Sequence, residues 1–158
     1  MNIFVLDDNP VKAAYMMCDK HVVKMILESN QMLSTVASTH GHMAPYRSTH
    51  ANHPCTRWAG ESLANWQWLI AHSRALCEEY TRRYGKIHKS QAVTEWAEAL
   101  DIVLPDIGLT PFPLAMPDQY KTADPVESYR RYYAGEKSGF ANWKTGNVPD
   151  WWENRLEI

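Results

Sequence analysis

The sequence predicts an all-α fold, one compact domain over residues 1–158 built around a long N-terminal helix and a second long helix. Three observations predict it. Residues 20–36 space their apolar side chains with a helical period. Proline follows a capping residue twice, at Asn9-Pro10 and Asp124-Pro125. There it starts a helix, because the first helical N–H has no partner to lose. Gly85 closes a long run rich in helix formers, the place where a left-handed residue ends a helix.

Taken in order, residues 2–6 (Asn-Ile-Phe-Val-Leu) read as a short strand or a buried N-terminal arm. Asp8 or Asn9 caps the first helical pattern, which runs to about Ser38, either continuous or broken and re-capped at Asp19. Residues 39–53 form a loop of His, Thr, Ser and Gly. The second long helix starts near Pro54 and stops at Gly85. Ser90 caps a third through about Val103. Residues 104–123 hold Pro105, Pro111, Pro113 and Pro117, which no continuous helix tolerates, so this segment is expected to wrap the surface. Asp124-Pro125-Val126-Glu127 opens a fourth helix with a capping-box pattern, ending near Gly135 or Lys137. A tail with Trp143, Trp151 and Trp152 follows. There are no repeats and no low-complexity linkers.

Composition narrows the function classes. Apolar residues are 45% and charged residues 22% of 158, near globular averages, which excludes a disordered chain. A net charge of −2 excludes a uniformly basic nucleic-acid binder. The charge is uneven, however. Residues 1–90 hold ten Lys and Arg against seven Asp and Glu, a net +3, and residues 91–158 hold six against eleven, a net −5. All seven histidines lie in the first part, so an anionic ligand is expected to meet that part. No apolar run approaches the roughly 18 residues of a membrane span. The N-terminus lacks the basic segment of a signal peptide. Three widely spaced cysteines read as reduced cytosolic thiols. Seven Trp and eight Tyr against three Phe favour a wet, ligand-facing surface.

Three clusters carry candidate chemistry. On the first long helix His21, Lys24, Glu28, Gln31 and Thr35 share an arc of about 80° at 100° per residue. Val22, Val23, Met25, Ile26, Leu27, Met32, Leu33 and Val36 fill the rest of the circumference. Such a stripe is either a solvated face or the wall of an internal cavity. In a cavity its carboxylate would orient a nucleophile or move a proton. His40, His42, His50, His53 and Cys55 crowd one loop, but their H-x-H and H-x-x-H-x-C spacing matches no standard zinc site. No metal and no cofactor is expected. Arg47 and Tyr46 beside them suit a phosphate or base contact, and His53 before Pro54 suits a helix cap. The second helix presents Trp58, Trp66, Trp68, Arg57 and His72 and ends in Arg82, Arg83 and Lys86. These cations either complement the helix dipole or hold phosphates.

Three segments, in order, resemble the pyrimidine-dimer DNA glycosylases of the phage endonuclease V type. Asp19-Lys20-His21 with Glu28 seven residues after the histidine is similar to the family's first helix and its catalytic glutamate. His53-Pro54 through Trp58, Leu63, His72, Leu76, Glu79, Arg83 and His88 resembles the H-P-x-x-x-W and E-x-x-x-R pattern of bacterial relatives. Tyr129-Arg130-Arg131-Tyr132-Tyr133 is similar to an aromatic-basic motif near the family's C-terminus. The resemblance implies a DNA N-glycosylase, with or without an AP-lyase step. A free α-amino group attacks the sugar C1′, and the glutamate positions the sugar or assists proton transfer. An α-amino group suits this work, since its ordinary pKa near 8, against about 10.4 for lysine, leaves more of it neutral at pH 7.

The sequence departs from the family in four places. Asn2, not a small residue, follows Met1, so the amine is that of a retained Met1. The arm before His21 is several residues longer, which leaves open whether that amine reaches Glu28. Leu27 stands where the family has an arginine before the glutamate, and Gln31 where it has the next one. The expected catalytic set is therefore Glu28, Met1 and His21. Lys20, Lys24, Gln31, Arg47, His50, His53, Arg57, Arg83, Lys86, Arg130 and Arg131 are expected to contact DNA or a nucleotide. Two other readings stay open: an enzyme acting on a free nucleotide or modified base through the same pocket, and a non-enzymatic module binding nucleic acid or protein through its Trp and Tyr surface.

Overall fold

The first helix begins where the chain offers an oxygen and then a proline. Asn9 Oδ1 accepts from the N–H groups of Val11 (2.9 Å) and Lys12 (3.1 Å), and α1 runs Pro10–Met16. In the computed structural model, which describes residues 1–145 and 147–155, the helical pattern then breaks at Met17 and Cys18. It restarts as α2 (Asp19–Thr39). Arg83 holds the break open. Its guanidinium donates to the carbonyls of Tyr15 (3.2 Å) and Met17 (2.8 Å) and to Asp19 Oδ1 (3.0 Å). The last carbonyls of α1, which have no helical partner, are thereby satisfied.

The second long helix is two helices, α3 (Pro54–Glu61) and α4 (Leu63–Tyr84). Ser62 is the reason. Its backbone is extended, its Oγ caps Asn65 N–H (3.0 Å), and the Leu63 N–H leaves the helix for the Pro105 carbonyl (2.9 Å). Gly85 ends α4 with φ +69°, as expected of a left-handed stop. The third helix, α5, spans Gln91–Ala99 and stops short of Val103. Ser90 precedes it without a side-chain cap, because its Oγ is engaged by Tyr46 Oη at 2.6 Å. Residues 104–123 are irregular except for a 3₁₀ turn at Asp118–Tyr120, and they bury Leu104 and Met116 while wrapping the helices. Asp124 caps α6 (Pro125–Glu136) through Val126 N–H (3.0 Å). Glu127 does not complete a capping box, since its Oε1 takes Arg131 instead (2.9 Å). A short α7 (Asp150–Glu153) brings Trp152 into the core beside Trp143.

Residues 1–6 form an arm, not a strand. Ile3, Val5 and Leu6 are fully buried, worth about 1.5–3 kcal/mol for each large side chain. Buried backbone must find partners, and the helices supply them. The Leu6 carbonyl accepts from Arg130 Nε, the Asp8 carbonyl from Trp68 Nε1 and the Pro10 carbonyl from His72 Nδ1, each at 2.9 Å. Asn2 ties the start of the arm. Its Oδ1 accepts from Ile3 and Phe4 N–H, and its Nδ2 donates to the Ala115 carbonyl (2.8 Å). Around α2, Val22, Met25, Ile26, Met32, Leu33 and Val36 are buried, but Val23 and Leu27 are exposed. The apolar face is thus narrower than the sequence pattern implied, because the arm and the 43–53 loop cover the polar stripe. Among the described residues no helix is long and apolar enough to cross a membrane.

Candidate active site

The polar stripe of α2 meets the N-terminal arm at Glu28. The glutamate is 8% exposed. Its Oε1 lies 2.9 Å from the Asn2 nitrogen and 3.2 Å from the Met1 amino nitrogen, and its Oε2 lies 3.7 Å from Lys24 Nζ. The arm does bring the amine to the carboxylate, and the burial of residues 3–6 explains how. The longer arm threads between helices instead of trailing in solvent. Met1 places its side chain against the core, only 2% exposed, while the residue as a whole is half-buried. Its open surface therefore belongs to the main chain, at the amino end.

His53, Cys55 and His50 stand around this pair. His53 Nδ1 accepts from Cys55 N–H (3.1 Å) and so caps α3, as its place before Pro54 suggested. Its pKa is lowered by burial first, then by the positive Met1 amino end and His50, with Glu28 opposing. The Cys55 thiol, facing Asn2 Oδ1 at 3.9 Å, is pushed up to about 11, chiefly by burial, and stays protonated. His50 is exposed with φ +50°, its Nδ1 2.8 Å from Thr49 Oγ1. The histidine-rich loop does not gather into a metal site. His40 Nδ1 bonds the Val36 carbonyl, and among the described residues no three His, Cys, Asp or Glu side chains converge to hold an ion.

The other expected site residues divide. Gln31 and Arg47 come together with Leu27, Tyr46, Ser48 and Thr49 around a cleft of about 460 Å³ on the Glu28 face of α2. Lys20 and Lys24 are exposed near the start of that face. Arg57 faces a separate cleft of about 410 Å³ with Thr35, Thr39, Thr56 and Glu61. Lys86 is exposed beyond the end of α4. His21 is buried, with Nδ1 2.5 Å from Tyr133 Oη and its ring stacked on Phe4 at 4.6 Å. Burial, then Lys137, Lys24 and Lys20, bring its pKa down to about 3. A neutral, walled-in imidazole is a weak base at pH 7, so its placement suits packing the arm more than moving a proton.

Three arginines need correction as free phosphate contacts. Arg83 is 1% exposed and fully engaged by Asp19, Glu79 and two carbonyls. Arg130 holds the Leu6 carbonyl and Asp7 and lies over Trp151. Arg131 pairs with Glu127 one turn earlier. In each case internal acceptors already engage the guanidinium, and for Arg83 and Arg131 the E-x-x-x-R spacing from Glu79 and Glu127 is the sequence signal. Sequence reasoning missed the structural part of Asn2. It ties down the arm that bears the amine, and an Asn two residues before a bulky Phe was its only signal.

A family model described as pyrimidine dimer DNA glycosylase matches residues 1–92. The chain belongs to the pyrimidine dimer DNA glycosylase family. The matched span runs from the arm to the start of α5, so it contains Met1, Lys24, Glu28, His53 and the Glu79–Arg83 clamp. The aromatic-basic motif of α6 lies outside it. No curated protein and no solved structure matches the chain. Within this glycosylase family chain, the E-x-x-x-R motif is a fastener: it fixes the α1–α2 junction from which Glu28 is presented. Tyr133 of the α6 motif likewise supports the arm through His21, and Tyr129 donates to the Pro113 carbonyl of the wrapping segment (2.5 Å).

Proposed function

We propose that this protein is a DNA glycosylase acting on a damaged or modified pyrimidine through the Met1 amine and Glu28, followed by an AP-lyase step. The observation that carries the reading is the 3.2 Å approach of the Met1 nitrogen to Glu28 Oε1, with the Met1 side chain tucked into the core. The neutral amine forms a bond to C1′ as the C1′–base bond breaks. The base leaves with that electron pair and takes up a proton. The nitrogen loses its two protons as the C1′–O4′ bond breaks; O4′ keeps that bond's electron pair and takes up one of the protons, and the nitrogen becomes an imine to C1′. Removal of a C2′ proton then expels the 3′ phosphate by β-elimination, and water hydrolyses the imine to release the enzyme. Glu28, close to the amine, holds it toward C1′ and relays protons. Extracting the nucleotide from its stack costs a few kcal/mol, and the cleft lined by Gln31, Tyr46 and Arg47 offers contacts to offset it.

Protein with a native N-terminus, mixed with UV-irradiated, abasic and undamaged oligonucleotides and reduced with borohydride, tests this. The expected result is a covalent adduct at residue 1 on damaged or abasic DNA, weakened in Glu28→Gln. Removal of Met1 would leave the Asn2 nitrogen, already 2.9 Å from the same oxygen, as the amine, and mass mapping distinguishes the two. An adduct on a lysine, or none from folded protein, overturns the proposal. No adduct together with turnover of a free nucleotide would favour the small-ligand reading.

A further inference from the structure

The arm contains one backbone anomaly. Phe4 has φ +56°, a conformation that costs a non-glycine residue of order 1 kcal/mol or more. The turn places its ring against His21 (4.6 Å) and Tyr132 (5.8 Å), in an aromatic cluster. Phe140 packs edge-on against His21 at 5.5 Å. Two lysines lie over this cluster. Lys137 Nζ is 4.8 Å from the Tyr132 ring centre and 5.7 Å from that of Phe4, and Lys20 Nζ is 4.9 Å above Phe140. One helical turn on, Lys24, 64% exposed, reaches Glu28.

These lysines are unlike most other cations near the arm. Arg83, Arg130 and Arg131 are each matched to a carboxylate, whereas among the described residues Lys20 and Lys137 meet none. Two ammonium groups, from α2 and the end of α6, thus lie over one aromatic platform, and Lys24 continues the line to Glu28. Their joint pull on the buried His21 is a second sign that they converge. Lys20 to Glu28 covers about 12 Å along a helix rising 1.5 Å per residue, which is the length of roughly three phosphates on one strand.

We infer that Lys137 and Lys20, continued by Lys24, form the surface that receives the phosphodiester backbone of the DNA strand entering the site. The inference rests on the proposed function for its ligand. The aromatic platform supports the ammonium groups from below and keeps them extended. The surface also answers the low overall charge: a few phosphate contacts are concentrated beside the amine, and the fold uses its arginines elsewhere.

The test is equilibrium binding of an abasic oligonucleotide duplex over a salt series, by wild type, Lys137→Gln, Lys20→Gln, the double variant and Lys137→Arg. Lys89→Gln serves as a control away from the platform. Each lost phosphate contact is expected to reduce the slope of log K against log salt by about 0.9, and the double variant by about 1.8. Lys137→Arg retains the wild-type slope, and Lys89→Gln leaves it unchanged. Borohydride trapping of the wild type and of Lys89→Gln at saturating DNA is read in parallel, and Lys89→Gln stays at the wild-type level. Unchanged slopes in the double variant, with trapping intact, overturn the inference and leave the proposed function standing. Lysine-dependent slopes without any trapping in the wild type do the reverse. A wild type that binds no DNA overturns both, and a variant that lowers the melting temperature without moving the slope assigns the lysines to packing alone.

Discussion

Adding one glycine before Met1 probes the proposed nucleophile with little disturbance to the fold. The Met1 side chain is buried but its amino end is open, so an added residue projects outward while the arm stays in place. Met1 nitrogen becomes an amide that still donates to Glu28 Oε1 but no longer attacks carbon. The new amine begins one residue away, about 3.8 Å measured between Cα atoms. A reacting pair needs an approach of about 3–3.5 Å, and a misplacement of 1 Å can cost about 100-fold. Single-turnover cleavage of an abasic duplex is therefore expected to slow by about 100-fold or more. Stability is expected to fall by about 1–3 kcal/mol, since the buried Glu28 exchanges an ammonium for a neutral donor while keeping the Asn2 N–H and Lys24. Each kcal/mol amounts to roughly 2–4 °C in melting temperature for a chain of this size. Acetylation of the native N-terminus removes the amine without displacing one and is expected to abolish trapping. The glycine-extended protein cleaving within about threefold of wild type would refute the reasoning and point to a nucleophile elsewhere, since the geometric penalty is far larger.

The remaining predictions concern the frame around the site. Arg83→Ala removes the buried cation from Asp19, which keeps only the Lys144 N–H, and leaves Glu79 to Arg82 alone, so a loss of about 3 kcal/mol is expected in urea unfolding; DNA affinity per folded molecule should hold, and a selective loss of affinity at unchanged stability would return Arg83 to the interface. His21 and His72 have pKa values lowered to about 3 and about 4, chiefly by burial. The unfolded chain binds protons that these rings refuse, so stability is full above pH 6.5 and falls on acidification toward those values, by up to about 1.4 kcal/mol per pH unit for each ring; a flat urea midpoint between pH 7 and 5 would contradict this. Asn2→Asp keeps the acceptor for Ile3 and Phe4 but loses the donor to Ala115 and puts a second carboxylate beside Glu28. A loss of about 1–3 kcal/mol is expected, measurable by thermal melting, together with slower trapping. Gly85→Ala at φ +69° meets no steric neighbour, so only backbone strain of about 1 kcal/mol is expected.

Much of the fold is legible because capping and helical periodicity are local. Asn9-Pro10, Asp124-Pro125 and Gly85 mark helix ends through atoms within a few residues of themselves. The split at Ser62 is not local in the same way. It depends on the Pro105 carbonyl capturing the Leu63 N–H, a contact that the residues around Ser62 do not encode. The site shows the same division. Glu28 stands out from its seven-residue spacing after His21, and the structure places it on α2 against the start of the arm. The fate of Arg130 was hidden, because a cation outside the E-x-x-x-R spacing looks the same in sequence whether it faces a phosphate or a buried carbonyl. Arg130 resolves only when the arm, more than a hundred residues earlier, is laid against it. Lys137 was hidden for the converse reason: its value comes from Phe4 and Tyr132 lying together, which takes a strained turn at Phe4 to arrange.

The threading of the arm has a consequence for the order of events in the life of the molecule. Residues 1–6 are made first, yet the groups that fasten them, Ala115, Arg130 and Tyr133 through His21, are made last. A growing chain therefore lacks these fasteners until α6 has emerged and docked. Contacts spanning so much of the chain slow folding, since loop closure must precede them. A fragment broken off before α6 keeps the Glu28, Trp68 and His72 contacts but is expected to hold the amine less firmly, without the Arg130 and Tyr133 ties.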